Sequence, residues 1–194
     1  MSISREYGAG GHEIAVMLAE RFNLPLIDED SIAQHFADEF NFDFDEVKQY
    51  SGKPFNRLLH RQIKGYTNTL EDNLSQMQFD YLREKAAAGE SFVVVGRCSE
   101  TVLKDYELMT AFFVLADEPD KVRRVMEREG LSEEEAAYTA RRGTRDRKSY
   151  HNYYCSEKWG DSRLYDMCIN TSKIGLEKAA DVMELYVHRR MAGM

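Results

Sequence analysis

Cysteine and proline are scarce in this chain, three of each in 194 residues. Cys98, Cys155 and Cys168 lie too far apart for a disulfide framework or a zinc pattern, which fits a reducing, cytoplasmic setting. The five histidines form no metal-ligand pair at helical spacing. No apolar run reaches the roughly eighteen residues of a membrane span, and the start has neither the basic flank nor the apolar stretch of a secretory leader. Repeats, low-complexity tracts and Pro/Gly/Ser linkers are missing too, so one domain is expected. Positive charge is in deficit, 26 Lys and Arg against 34 Asp and Glu for a net charge of −8. That excludes the broad basic face of a nucleic-acid binder. A small phosphorylated ligand needs only local cations, and Arg141, Arg142, Arg145, Arg147 and Lys148 supply them, opposed only by Asp146.

Another absence is local. The stretch "REYGAGGHE" sets a glycine cluster between a short apolar start and a helical pattern, where backbones often wrap phosphate. The Lys and Ser/Thr that a phosphate loop places next are missing, and Gly11, His12 and Glu13 stand there instead. Gly8, Ala9, Gly10 and Gly11 can still build a nest of amide donors on the positive end of a helix dipole. The alternative is a tight strand-to-helix turn with no ligand.

What is present is an alternation of strands and helices. Ile14, Leu18 and Phe22 predict an amphipathic helix after the glycines. "LPLID" (Leu24–Asp28) reads as a short strand, followed by Asp30 or Ser31 as a cap and a helix marked by Ile32, Phe36 and Phe40. From Phe42 to Gly65 the signal is mixed, with Gly52 and Pro54, and predicts short helices or irregular structure. A long helix is expected from Thr67 to Ala88, with Leu70, Leu74, Met77 and Tyr81 inward and Gly89 at its end. "SFVVVG" and "TAFFVLA" are strands covered on both faces. Asp117 is a cap, and Gly130 ends its helix. Ser132 and Glu135 form a capping box that opens the arginine-bearing helix, where Gly143 offers an interruption and a hinge. "YDMCIN" is a last strand and Leu176–Met191 a last helix. Apolar strands between helices imply a parallel sheet with helices on both faces, and ligands at the carboxyl ends of the strands. Gly8–Gly11, Arg97 and Asn170–Ser172 all follow strands and share that rim.

"ISREYGAGGHEIA", "FVVVGRCSETVL", "RKSYHNYYCSEKWGD" and "YDMCINTSKIGLEKA" together resemble the cytidylate kinase-like family of P-loop nucleoside-monophosphate kinases, from Ile3 to about Met183. The resemblance implies an α/β P-loop NTPase fold: a five-stranded parallel sheet flanked by helices. Its core would comprise residues 1–29, 91–130 and 161–194, with a helical NMP-binding insert near 30–80 and a helical lid near 131–160. It also implies a nucleotide kinase-like phosphotransferase that moves the γ-phosphoryl group of ATP, with Mg2+, to a nucleoside monophosphate such as CMP or dCMP, or to a related small acceptor. The alternative is a weak or inactive regulatory protein that binds nucleotide without transfer, since the loop has lost its cation and its metal-facing hydroxyl.

Within that resemblance Arg5 replaces the missing charge, or is an exposed residue at the strand end. Ser4 supplies a hydroxyl. Arg142, Arg145 and Arg147 fall where the family's lid cations lie, Arg suiting bidentate phosphate contact. Gly96 and Arg97 match the acceptor-binding Gly-Arg-Asp, with Cys98 in place of its Asp, which takes away an acceptor for the base amino group. Asp28 either approaches the acceptor phosphate or caps a helix. His12 faces phosphate, and Glu13 either binds magnesium or favours the helix N-terminus. Asn170, Thr171 and Ser172 contact the adenine or cap the last helix. Tyr150, Tyr153, Tyr154 and Trp159 either stack on a base or pack the lid onto the body, and Cys98 reads as a small packed residue.

Overall fold

The computed structural model describes residues 1–40, 43–50 and 70–193. In chain order the elements are β1 (Ser2–Arg5), α1 (Gly11–Phe22), β2 (Leu26–Ile27), α2 (Glu29–Phe40), α3 (Phe44–Tyr50), α4 (Leu70–Ala87) and β3 (Val93–Val95). They continue with α5 (Ser99–Val102), β4 (Ala111–Leu115), α6 (Glu118–Glu129), α7 (Glu133–Tyr154), β5 (Met167–Asn170), α8 (Thr171–Ile174) and α9 (Leu176–Ala192). The five strands form one sheet in the order β2-β3-β1-β4-β5, parallel throughout. Most of the mixed stretch before α4 falls outside the described residues; α3 is its described part.

The sheet is sandwiched because its strands alternate apolar side chains to both faces. On one face Ile3, Val93, Val95, Phe112, Val114 and Ile169 meet Ile14 and Leu18 of α1 and Ala180, Met183 and Val187 of α9. On the other, Val94 and Ile27 meet Ile32 and Phe36 of α2 and Leu74 and Leu82 of α4. Each such fully buried Ile, Leu or Phe contributes roughly 1.5–3 kcal/mol of burial free energy. The strand β1 departs from the rule. Its Ile3 enters the first core, while Ser2 and Ser4 on the opposite side reach α5: Ser2 Oγ lies 2.6 Å from Ser99 Oγ, and Ser4 Oγ donates to Glu100 Oε2 at 3.0 Å.

Three boundaries differ from the sequence expectation. The strand β2 holds two residues instead of five, because as an edge strand it pairs with β3 only at Leu26 and Ile27. The cap of α2 is Asp28, not Asp30 or Ser31: its Oδ1 accepts from the Ser31 amide at 3.0 Å, while Ser31 Oγ accepts from the Asp28 amide at 2.8 Å. Asn170 caps the short α8, its Oδ1 accepting from the Ser172 amide at 2.9 Å, and α9 starts separately after Gly175.

Gly143 does not break α7, which runs unbroken from its Ser132–Glu135 capping box to Tyr154. The residue there is small for another reason. A Cβ on Gly143 would lie 2.4 Å from Cδ2 of Tyr7, so the glycine is the seat on which the Tyr7 ring rests against the helix.

Candidate functional site

The turn between β1 and α1 is held from outside. Glu6 donates its amide to Val114 O at 3.0 Å, and Tyr7 donates its amide to Thr144 Oγ1 of α7 at 3.0 Å. Ala9 O accepts from Thr171 Oγ1 at 2.8 Å, and Gly8 O accepts from Arg124 at 3.3 Å. Gly8 and Gly10 take φ of 78° and 85°, a left-handed backbone that glycine adopts at little cost. Among the described residues none accepts from the amides of Gly8, Gly10, Gly11, His12 or Glu13. These donors lie at and before the N-terminus of a twelve-residue helix, an arrangement suited to an anion.

Where a phosphate loop has its lysine, Gly11 faces the stem of Arg5. A Cβ at Gly11 would lie 2.5 Å from Arg5 Cβ and 2.8 Å from its Cγ, so the arginine stem fills the space a side chain at 11 would enter. From there Arg5 crosses to Gly96, where its Nη1 lies 2.3 Å from the place of an absent Cβ. Its guanidinium joins Arg97, Arg147 and Glu29 in a cavity of about 120 Å³ between the ends of β1 and β3 and the flank of α7. Ser4, Cys98, Tyr150, His151 and Trp159 complete the wall.

This cavity is electropositive. Arg97, with its side chain 7 % exposed, reaches Glu29 Oε1 at 3.2 Å, and Arg147 Nη1 donates to Arg5 O at 3.3 Å. Burial lowers the Arg5 pKa well below its usual value, and repulsion from Arg147 and Arg97 lowers it further against the pull of Glu29 and Asp28. Burial also brings Arg147 down to about 10, still charged at neutral pH. The buried Nε of Arg5 has no hydrogen-bond partner. An orphaned donor beside three guanidinium groups and one carboxylate is a site short of an anion.

The other expected residues divide by position. His12 Nε2 meets Asp28 Oδ2 at 3.0 Å beside the loop. Burial would raise the Asp28 carboxyl, but the hydrogen bonds from His12 and Ser31 outweigh it and hold the group below its usual range. Asp28 thus caps α2 and pairs with His12 in the first turn of α1. Glu13 is in the first turn of α1, close enough to Arg128 to act on its charge. Asn170, Thr171 and Ser172 are fastened inward: Asn170 Nδ2 donates to Asp117, Ser172 Oγ accepts from the Asp117 amide, and Thr171 ties Ala9 to Arg124. The Asp117 carboxylate is thus turned to Asn170 and Lys173 and makes no side-chain cap on α6.

Of the arginine cluster only Arg147 enters the cavity. Arg142 is exposed beside Asp146 at 3.7 Å. Arg145 lies with Arg141, Lys148 and Lys121 along a second cleft between α6 and α7. Residues that sequence reasoning passed over are Glu29, Arg124, Arg128 and Tyr7. Arg128 and Arg147 flank the Tyr7 ring, each 4.9 Å from its centroid. The spacing of Arg124 and Arg128 on one face of α6 was the available signal for those two.

Residues 1–173 match the model of the cytidylate kinase-like family. The chain belongs to that family. Among its relatives is a cytidylate kinase of Pyrococcus horikoshii, 28% identical over 176 residues, which cover 89% of this chain and 80% of that protein. The crystal structure of an uncharacterized protein from Eubacterium ventriosum is 36% identical, covers 96% of both chains and superposes with a TM-score of 0.76. Shikimate kinase from Bacteroides thetaiotaomicron, 13% identical over 96% of both chains with a TM-score of 0.56, shares the fold. The architecture of this cytidylate kinase-like chain is that of P-loop kinases, a five-stranded parallel sheet flanked by helices.

Proposed function

We propose that the chain is an ATP-dependent phosphotransferase whose acceptor is a nucleoside monophosphate of the CMP or dCMP kind, or a related small acceptor. The observation that supports this reading is the Arg5 side chain, whose stem fills the side-chain space of Gly11 and whose guanidinium reaches Gly96 in the cavity it shares with Arg97 and Arg147. The unpaired amides of Gly8 and Gly10–Glu13 would hold the donor phosphates. Arg5 and Arg147 would neutralise the transferring group, and Arg97 would hold the acceptor phosphate. Phosphoryl transfer depends mainly on such positioning and charge neutralisation. Residues 131–160 would form the lid, with α7 delivering Arg147, and residues 30–80 the acceptor-side insert. Arg142 and Arg145 point elsewhere and receive no role.

Among the described residues no three His, Cys, Asp or Glu gather as metal ligands. Magnesium commonly takes one or two carboxylates and completes its shell with water and substrate phosphates. Asp28 and Glu13, on either side of the loop, are the carboxylates that would meet it. Bound there, the ion would neutralise charge on the donor's phosphates.

One observation favours a second reading, binding without transfer: the Ser4 hydroxyl, the one the sequence offered to the loop, is buried and donates to Glu100. A transfer assay with ATP, magnesium and a panel of nucleoside monophosphates separates the two. The kinase reading expects turnover that Arg5→Ala removes while ATP still raises the melting temperature. No turnover across the panel, with ATP stabilisation intact, selects the binding protein.

A further inference from the structure

Beneath the arginine cavity lies a buried polar cluster that phosphoryl transfer leaves unused. Glu100 is 4% exposed, and its Oε1 lies 2.6 Å from Nε2 of His151, itself 3% exposed. The pair is close but off the hydrogen-bond axis, and neither ring nitrogen of His151 has a hydrogen bond of ordinary geometry. His151 occupies the last turn of α7, where its carbonyl accepts from the Cys155 amide at 2.8 Å. Cys155 is partly buried and packs onto the small cluster of Phe79, Cys98 and Tyr150. Cys98 and His151 both form part of the cavity wall. Carboxylate and imidazole are thus in contact, and the two thiols share one small cluster at the end of the helix that carries His151.

We propose that Cys155 is a reactive cysteine and Cys98 its resolving partner, so that hydrogen peroxide converts the two into a disulfide. The Cys155 sulfur attacks one oxygen of the peroxide. An S–O bond forms, the O–O bond breaks, and the leaving hydroxide becomes water with a proton from the His151 imidazolium. The Cys98 sulfur then attacks the Cys155 sulfenic acid, forming the S–S bond as the S–O bond breaks; the proton of Cys98 leaves with that hydroxyl as a second water. Two thiols are oxidised by two electrons in all, and one peroxide is reduced to two waters.

The local electrostatics agree. The groups facing Cys155 are Cys98, just before α5, Thr101 of α5 and His151 of α7, with Glu100 beside the imidazole. The interaction with Cys98 and the charged ring of His151 lower the Cys155 thiol pKa against burial. Burial opposes the charge on His151, but the interactions with Cys155 and Glu100 outweigh it and raise its pKa to about 10. Cys98 is pushed up, keeping its proton until it resolves. Cys168 is the internal control: it is exposed, and its pKa is raised. Cys98 follows Arg97 directly, and Cys155 ends the helix that carries Arg147, so the bond would tie the two arginine-bearing elements together.

The test uses the whole purified chain and needs no assay of phosphoryl transfer. At neutral pH iodoacetamide is expected to alkylate Cys155 about tenfold faster than the more exposed Cys168, and His151→Gln to remove most of that advantage. Stoichiometric hydrogen peroxide should yield a Cys98–Cys155 cross-linked peptide in non-reducing mass mapping, reversed by dithiothreitol. Should His151→Gln fail to fold, Cys98→Ser serves in its place, leaving a Cys155 sulfenic acid that dimedone traps. Preferential alkylation of Cys168, or peroxide oxidation with no cross-link in the wild type, overturns the proposal. Failure of Cys98→Ser to give the dimedone adduct overturns it as well.

Discussion

Arg5 and Gly11 make sense only as a pair. One contributes a cation from the strand, and the other stays out of its way, so restoring the lysine that P-loops usually carry should harm this protein. Gly11→Ala and Gly11→Lys both place a Cβ 2.5 Å from Arg5 Cβ. Overpacking of this kind costs about 1–3 kcal/mol. The expected result is a lower urea midpoint and no gain in transfer. Arg5→Ala tests the proposed charge directly: removal of an arginine acting on the transition state is expected to cost about 10³-fold in kcat. At this scale the sequence showed which residues carry charge but not where they point. Arg142, Arg145 and Arg147 lie within six positions, yet at roughly 3.6 residues per turn they leave the helix in three directions. Only tertiary packing reveals that Arg147 faces Arg5. Arg97 was legible because it follows a buried strand, whereas Glu29 looked like any acidic residue in a first helical turn.

Helix α7 links the arginine cavity to the rest of the fold. In an exposed helix Gly→Ala gains up to about 1 kcal/mol. Gly143→Ala is expected to do the opposite, lowering the melting temperature, because the methyl group meets the Tyr7 ring at 2.4 Å. The double change Gly143→Ala with Tyr7→Ala should recover part of the loss. At the other end of α7, His151 has a pKa raised to about 10 against burial by Cys155 and Glu100. The sign follows: its charged pairing stabilises the fold fully below the unfolded value near 6.5, and that contribution fades as pH rises through about 10. Urea midpoints measured across this window should fall in the wild type and stay flatter in His151→Gln. The helix was readable from its capping box and its length, since the Ser132–Glu135 spacing acts locally. Its continuity was not, because a glycine seated under an aromatic ring from elsewhere in the chain has the same sequence signature as a break.

Across the whole molecule, the parallel sheet was legible from runs such as "FVVV" and "FFVL", which only a strand covered on both faces requires. Its strand order, and hence which loop ends meet, was set by long-range pairing that no local pattern encodes. The resulting cavity stores repulsion, three guanidinium groups held together with one carboxylate ion-paired to Arg97. Replacing a buried ion pair or triad by apolar side chains of similar size often stabilises a fold by about 1–4 kcal/mol, and Arg5 is a buried charge repelled by both Arg147 and Arg97. Arg5→Met is accordingly expected to raise the melting temperature of the free protein. It should also shrink the rise on adding ATP, which for the wild type at about 100 times its Kd corresponds to about 2.7 kcal/mol. Differential scanning fluorimetry of both proteins, with and without ATP, checks each half. The shared space of residues 5 and 11 also constrains ancestry. A lineage cannot pass between the lysine and arginine solutions one substitution at a time without crossing a form that is either overcrowded or missing its cation, so the two positions should be inherited together.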